Sequence, residues 1–509
     1  MHMSKKHDIP IEVELKLEVE PDKLDEVVAH PELKAYAPNA ARQDLHSTYF
    51  DTPSHDLKQA GISFRIRRNG TRRVQTIKAA RISHNVALAR NEWEHEVDSD
   101  DPDFALAKGT ALEPFLNLQY RIRPVFTVTA DRTLLVVRHG QSIIEVAADR
   151  GRVEGADRDL TFGELELELK EGTVADLFAL AVTLSEAAPL RLSYRTKAQR
   201  GYDATSDEKP TKVKSGSVKL KRRMTSAEAF QIIGASCLKH MMANEMIVRE
   251  RLESDAIHQM RVALRRLRAA ITLFKAIVAD EERDEIRSEL RWMANGLGEA
   301  RDLDVYIAKI LKPALISWDE DAGLNALLQE AQERRAQAYG KVQEIVASSR
   351  LVNGVLKTAA WIQAGAWAQD ESKPARKRRA LRISVLAEEE LDRRWKRILK
   401  RGKRLADLDP EDRHQVRIEI KKLRYAAEFF ESLFKGQGTK ARKQSALASL
   451  EALQETLGEL NDIAVGAQLH GSTAAEALHE EQLARVDDLL AKAMTQYRDL
   501  ASLEPFWKG

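Results

Sequence analysis

Every second side chain of Glu12-Val13-Glu14-Leu15-Lys16 is ionised and those between are aliphatic; the pattern returns far downstream in Glu164-Leu165-Glu166-Leu167-Glu168-Leu169-Lys170. In a strand this alternation sends the charged set to one face and the apolar set to the other. A sheet with one wet side accounts for a single such strand. Two are harder to account for, because carboxylates at i, i+2 and i+4 repel one another and a fold that stacks them has cations to place there. Bases recur in the same phase: Phe64-Arg65-Ile66-Arg67 puts two guanidinium groups on one face, and Lys16, Lys78, Arg123, Lys197 and Arg200 join them, with further carboxylates at Glu92, Glu94 and Glu96. Glutamate oxygens suit hard divalent cations, and arginine and lysine suit phosphate oxygens. The two populations together describe a site for a metal-bound polyanion. No Ser/His/Asp or Cys/His constellation competes with that reading, since the histidines are scattered and the single cysteine, Cys237, lies in the other half of the chain.

The elements that must position these residues follow from periodicity. From Ile11 to about Tyr202 the chain runs in short alternating segments, among them Val74–Lys78, Trp93–Val97, Arg123–Val128 and Ser142–Ala147. Such patterning predicts an α+β domain with a closed antiparallel β-barrel, its charged faces pointing inward to line a tunnel, and helices near Pro21–Val28 and Val174–Ser185. The polar stretch Asp203–Ser217 reads as a linker. Beyond it, long segments with helical apolar spacing and little proline predict an all-α domain. An internal repeat runs through that half. His258-Gln259-Met260-Arg261 through Arg268 matches His414-Gln415-Val416-Arg417 through Arg424 at an offset of 156 (414 − 258), and Leu297–Asp302 matches Leu457–Asp462 at an offset of 160 (457 − 297). Two ordered matches at nearly one offset predict two helical bundles related by a pseudo-twofold axis. At 509 residues several domains are expected. Lys+Arg 81 against Asp+Glu 79 gives no global field that selects nucleic acid or an anionic membrane, so charge acts locally. One cysteine, no apolar N-terminal run and no span-length apolar segment predict a cytoplasmic protein with no membrane partner.

Glu-x-Glu-x-Lys at 12–16, Tyr49-Phe50-Asp51-Thr52, Phe64-Arg65-Ile66-Arg67, the distal Glu-Leu-Glu-Leu and Arg195-Thr196-Lys197-Ala198-Gln199-Arg200-Gly201-Tyr202 occur in an order that resembles a CYTH domain, the triphosphate tunnel metalloenzymes. The resemblance spans residues 9–203, with 204–218 as linker. It implies a metal-dependent triphosphatase that hydrolyses tripolyphosphate to pyrophosphate and phosphate, with Mg²⁺ or Mn²⁺ in a two-metal site. Within that family class IV adenylyl cyclases and thiamine triphosphatases are the alternatives. Carried over by position, Glu12, Glu14, Lys16, Glu166 and Glu168 take the catalytic places. Glu12, Glu14, Glu164, Glu166, Glu168 and Asp149 are the metal candidates. Lys16, Arg65, Arg67, Lys78, Arg123, Arg132, Lys197 and Arg200 are the bases for the triphosphate. The family pattern commonly ends in Ser-Lys where this chain has Thr196-Lys197, which keeps the hydroxyl.

In the helical half, at ~100° per residue from His258, Arg261, Arg265 and Arg268 fall at about 300°, 340° and 280°, and His414, Arg417, Lys421 and Arg424 repeat the arrangement. Each helix thus carries one histidine and three bases on one face, and Arg393, Arg397, Lys400 and Arg404 could extend the surface. The duplicated element, with Leu-Gly-x-x-x-Asp after it, resembles a CHAD domain over residues 219–509, with repeats at about 219–370 and 371–509. That resemblance implies binding of inorganic polyphosphate, helped by protonation of His258 and His414 near neutral pH. The stripes lack interleaved aromatics and any named reader motif, which argues against nucleic acid. A non-catalytic polyphosphate receptor or scaffold is the reading from another class, and retention of both glutamate rows argues against it.

Overall fold

The computed structural model describes residues 11–80, 88–154, 159–205, 210–318, 321–436, 438–466 and 473–508. The chain folds as two compact units, Met1–Thr211 with Ser348–Gly365, and Lys212–Ala347 with Ala366–Gly509. Part of the expected linker, residues 206–209, lies outside the described residues.

The first unit is built on nine antiparallel strands: β1 (Ile11–Val19), β2 (Ala41–Asp51), β3 (Ile62–Asn69), β4 (Arg72–Ala80), β5 (Leu88–Glu96), β6 (Arg123–His139), β7 (Ser142–Glu154), β8 (Asp159–Glu171) and β9 (Arg191–Ser193). Their order is β5-β4-β3-β2-β6-β7-β8-β1-β9, and β5 also pairs β1 over Ile11–Glu14. The expected closed barrel is therefore corrected. The sheet wraps far enough for β5 to reach β1, but only along those four residues, because β9 takes the same edge of β1 at Lys16–Glu18. The two alternating strands pair with each other, placing Glu14 opposite Glu168, Lys16 opposite Glu166 and Glu18 opposite Glu164.

The aliphatic set of those strands behaves as alternation requires. Leu15, Leu17, Val146, Leu165 and Leu167 are buried, and helix Val174–Leu184 packs on β6, β7 and β8, burying Leu177, Phe178, Leu180, Ala181 and Leu184 of its own. Each such side chain contributes ~1.5–3 kcal/mol on leaving water. Thr173 starts that helix by accepting from the Asp176 amide. Helix Ser349–Ala364, which follows most of the first repeat in sequence, packs on Val174–Leu184 and β9 and so belongs to the first unit. Apolar spacing marks it as a buried helix without saying which core receives it.

The second unit is helical, with Ser226–Arg251, Ser254–Leu273, Ala322–Ala347, Ile383–Gly402, Pro410–Phe430, Thr439–Gly466 and Val486–Ser502 its longest members. Thr225 opens the first of them with a capping box, and Asp409 caps Pro410–Phe430. The two stripe-bearing helices, Ser254–Leu273 and Pro410–Phe430, pack against each other. Phe274 and Phe430, which correspond at the offset of 156, meet there with ring centroids 6.1 Å apart. No helix among the described residues is long and apolar enough to cross a membrane.

Candidate functional site

The charged faces of the first unit enclose a cavity of about 350 Å³. Its walls are segregated. On one side β1, β8 and β7 contribute Glu14, Lys16, Glu166, Glu168 and Glu145; on the other, β3 and β4 contribute Arg65, Arg67 and Lys78, with Glu92 and Glu94 from β5. Glu145 pairs in register with Glu168, and Glu168 with Glu14, so three carboxylates form one cross-strand row.

The residues beneath that row are tightly paired. Lys197 Nζ lies 2.8 Å from Asp149 Oδ2 and 3.0 Å from Glu166 Oε1 and also binds Glu164; Arg132 bonds both oxygens of Asp149 at 2.7 Å and Glu166 at 2.9 Å. Lys16 contacts Glu166 and lies 3.0 Å from Glu14. Burial works against ionisation of Glu166, yet Lys16, Lys197 and Arg132 outweigh it and hold its carboxyl well below the usual carboxylate range. Asp149 is likewise lowered despite burial, by Lys197 and Arg132. Burial dominates at Glu164 and raises its carboxyl.

The opposite wall is unlike this. Arg65 has only the Tyr49 hydroxyl, at 3.4 Å, and Arg67 only the Ser47 hydroxyl, at 3.4 Å; neither has a carboxylate within ion-pair distance among the described residues. Burial, with Arg65 and Arg132 nearby, pulls the Arg67 guanidinium down to about 10. Arg65 is instead raised despite its burial, by Tyr49 and then by Glu92 and Glu94 beyond ion-pair distance, so Arg67 is the cation short of an anion.

Local sequence explains how the lysine is delivered. Thr196 and Gln199 form a reciprocal capping box, so the helix Lys197–Ala204 begins at Lys197 and puts Arg200 one turn on. Gly201 lets that helix lie against Phe126, where a Cβ would sit 1.9 Å from the ring. Tyr202 donates to Asp51 Oδ2 at 2.6 Å, and Asp51 also accepts from the Leu57 and Lys58 amides, tying the helix to the end of β2.

Several expected positions fall elsewhere. Arg123 is exposed and absent from the cavity wall, because the register between β2 and β6 shifts at Tyr49/Phe50 and turns the start of β6 away. Arg200, Glu164 and Asp149 are buried behind the wall; Arg200 pairs with Glu18 at 2.8 Å and Glu164 at 3.5 Å. Glu12 lies in β1, but its side chain is outside the described residues. The cavity also recruits Tyr49, Ser63, Glu145 and Lys170, which were not among the candidates. Of these Glu145 was detectable, since it shares strand parity with Asp149.

Carboxylate oxygens of Asp149, Glu164 and Glu166 lie within 4.8 Å of one another, as a metal-binding set would. Lys197 already bridges all three. Glu14 is different: it is buried, faces the cavity, and its Oε1 has no hydrogen-bond partner. An orphaned carboxylate oxygen beside a carboxylate row fits a divalent cation.

In the second unit the stripes converge. A cavity of about 550 Å³ is bordered by His258, Arg261, Arg265, Arg301, Arg417 and Lys421. A second, of about 320 Å³, takes Arg265, Arg268, His414 and Lys421. Arg424 reaches neither and pairs with Glu451 and Glu428. Arg393, Arg397 and Arg404 do not extend the surface, being paired with Glu390, Glu419 and Asp407. Nor is His258 a proton-borne charge near neutrality. Burial, then Arg301, Arg265 and Arg261, push it down to about 4, so it is neutral at pH 7. Burial and the neighbouring Arg417 and Arg265 also lower Lys421, to about 7.

Comparison with known proteins bears on both units. Residues 10–202 match the CYTH domain and residues 232–471 the CHAD domain. An inorganic triphosphatase of Haemophilus influenzae is 32% identical over 195 residues, 38% of this chain and 54% of that protein. An uncharacterized protein of Mycobacterium tuberculosis is 26% identical over 287 residues, 52% of each. The crystal structure of the CHAD domain from the plant Ricinus communis aligns with a TM-score of 0.50 at 27% identity, covering 58% of this chain and 97% of that one. The chain spans about half the length of the curated relatives it matches.

Proposed function

As a chain that joins a CYTH domain to a CHAD domain, this protein is, we propose, an inorganic triphosphatase that cleaves tripolyphosphate to pyrophosphate and phosphate, with a helical unit that binds polyphosphate. The observation that carries the reading is the pair Arg65, buried, and Arg67, half-buried, without a carboxylate at ion-pair distance among the described residues and facing the same cavity as the orphaned Glu14 oxygen. A triphosphate supplies the missing anion to the first and a route for divalent metal to the second.

Arg65 and Arg67 take phosphate oxygens from one side, and Lys16, Arg132 and Lys197 limit the charge of the carboxylate wall from the other. Holding the chain between the two walls fixes the scissile phosphorus relative to an attacking water. Mg²⁺ or Mn²⁺, held by Glu14, Glu166 and Glu168 with Glu12 as a further candidate, would neutralise phosphate charge and lower the pKa of a bound water. Glu166, kept ionised by three cations, retains its charge throughout. Asp149 and Glu164 serve from behind the wall by orienting Lys197. Inorganic triphosphate is favoured over ATP or thiamine triphosphate because the wall is almost entirely charged or hydroxylic, Tyr49 being its one aromatic ring. Among the described residues only Ala147, Ala198 and the Tyr49 ring offer apolar surface to a base or a thiazolium.

For the helical unit, Arg265, Arg417 and Lys421 have no ion-pair partner among the described residues, and the Arg265 and Arg417 Nε atoms are buried without acceptors. The pseudo-twofold relation of its halves is supported by contacts between equivalent residues. Phe274 meets Phe430, Arg265 and Lys421 border the same cavities, and Arg261 and Arg417 lie against Gly298 and Gly458 respectively. A cytoplasmic setting agrees with one buried thiol. Phosphate release from tripolyphosphate, ATP and thiamine triphosphate, with Mg²⁺ or Mn²⁺, tests the enzyme reading. Wild type should prefer tripolyphosphate, and Glu14→Ala and Arg67→Ala should each lose that activity; polyphosphate binding without release from any of the three would refute it.

A further inference from the structure

The two cavities of the helical unit differ in character and share a border. The larger is mixed: cations and polar groups, with Asp302 and Asp462 among them, share its lining with Val305, Tyr306, Ile310 and Leu478. The smaller exposes mainly the aliphatic and aromatic carbon of Ala269, Leu273, Ile418, Ala426 and Phe429, although six cations, Arg268 and Lys421 among them, also line it. Arg265 and Lys421 border both. An inorganic phosphate chain lying on those two cations has nothing to place against aliphatic carbon, so it would leave the smaller chamber filled with water at an apolar wall.

We propose that the two chambers form one bipartite site for a nucleoside polyphosphate, its phosphates in the larger chamber and its nucleoside in the smaller. Volumes of about 550 and 320 Å³ each suit part of a small ligand. Arg265 and Lys421, at the junction, take the phosphates nearest the sugar. The base lies on the aliphatic wall formed by Leu273 and Ile418, with the half-buried guanidinium of Arg268 available as a stacking plane. This rests on the polyphosphate reading of the helical unit and narrows it: the preferred anion carries an apolar group at one end.

The test compares two ligands of equal phosphate number, adenosine 5′-tetraphosphate and inorganic tetraphosphate. Binding is measured by calorimetry with EDTA present, on the full chain carrying Arg65→Ala and Arg67→Ala so that the sheet cavity contributes little. The nucleotide should bind about tenfold or more tighter, the value of one stacked base. Ala269→Phe fills the chamber and should abolish that advantage while leaving tetraphosphate affinity intact, which also shows that the variant is folded. Ile418→Asn, which makes the wall polar without adding bulk or charge, should do the same. Equal affinity of the two ligands in the starting protein, or an advantage that survives both variants, overturns the bipartite site alone. Failure of both ligands to bind overturns the polyphosphate reading with it.

Discussion

Arg67→Met should make the protein more stable and less active at once. The side chain is kept long and apolar so that packing is retained, while a charge the fold holds at a cost is removed. That cost follows from the lowering of Arg67 from the ordinary guanidinium value to about 10: at ~1.4 kcal/mol per pH unit, it is at most about 3.5 kcal/mol. Water in the open cavity screens part of it, leaving about 1–2 kcal/mol. Because the folded-state value lies below the unfolded one, the penalty is fully present below about pH 10 and fades only as pH rises from there toward the ordinary guanidinium value. For a unit of this size ~1 kcal/mol corresponds to about 2–4 °C, so Tm should rise by about 2–8 °C at pH 7. Turnover of tripolyphosphate should meanwhile fall about 10- to 150-fold, since a charge-assisted bond to phosphate is worth ~1.5–3 kcal/mol. Arg132→Met is the contrast. It strips two bonds from Asp149 and one from Glu166, leaving Lys197 to hold Asp149 and Lys197 with Lys16 to hold Glu166, so it should lower stability by part of the about 3–5 kcal/mol that a broken buried ion pair costs. Differential scanning calorimetry and initial rates read both variants. A lower Tm for Arg67→Met, or full activity, would refute the inference that this guanidinium waits for an anion.

Gly201→Ala should destabilise by about 1–3 kcal/mol and lower activity, because the new methyl would lie 1.9 Å from the Phe126 ring and must displace the helix carrying Lys197; thermal melts and rates check it. Glu166 is depressed in the folded state, so its contribution is present above the ordinary carboxylate range and lost as pH falls through that range toward its lowered value. Acid melts should therefore show wild-type stability falling more steeply than that of Glu166→Gln. In the helical unit, polyphosphate should restore the proton that Lys421 loses near pH 7. Calorimetry in buffers of different ionisation enthalpy should show net proton uptake at pH 7.5 that Lys421→Met abolishes.

Strand alternation made most of the cavity wall legible. Glu14, Lys16, Arg65, Arg67, Lys78, Glu166 and Glu168 all line it, because period two leaves a side chain only two faces to choose from. Depth along that face was not legible. Glu164 has the right parity and chemistry but lies behind the wall, where Lys197 and Arg200 of the Lys197–Ala204 helix pair with it, and no strand period reports that helix. Arg123 was misplaced by a register shift that leaves no mark in composition. In the helical half the repeat identified the two stripe helices, but helical angles do not report what faces a residue from elsewhere. Arg301, from the helix Gly298–Tyr306, helps keep His258 neutral, and Glu419 on Pro410–Phe430 neutralises Arg397. The membership of Ser349–Ala364 in the first unit was equally hidden, being a matter of which core a buried helix meets.

The central claim is hydrolysis of tripolyphosphate in the sheet cavity, and ³¹P NMR of tripolyphosphate incubated with the full chain and Mg²⁺ or Mn²⁺ tests it most directly. The account predicts equal amounts of pyrophosphate and phosphate accumulating together, with loss of both on chelation or in Glu14→Gln. Tripolyphosphate that stays intact beside folded protein, or is consumed equally fast by Glu14→Gln, would contradict it.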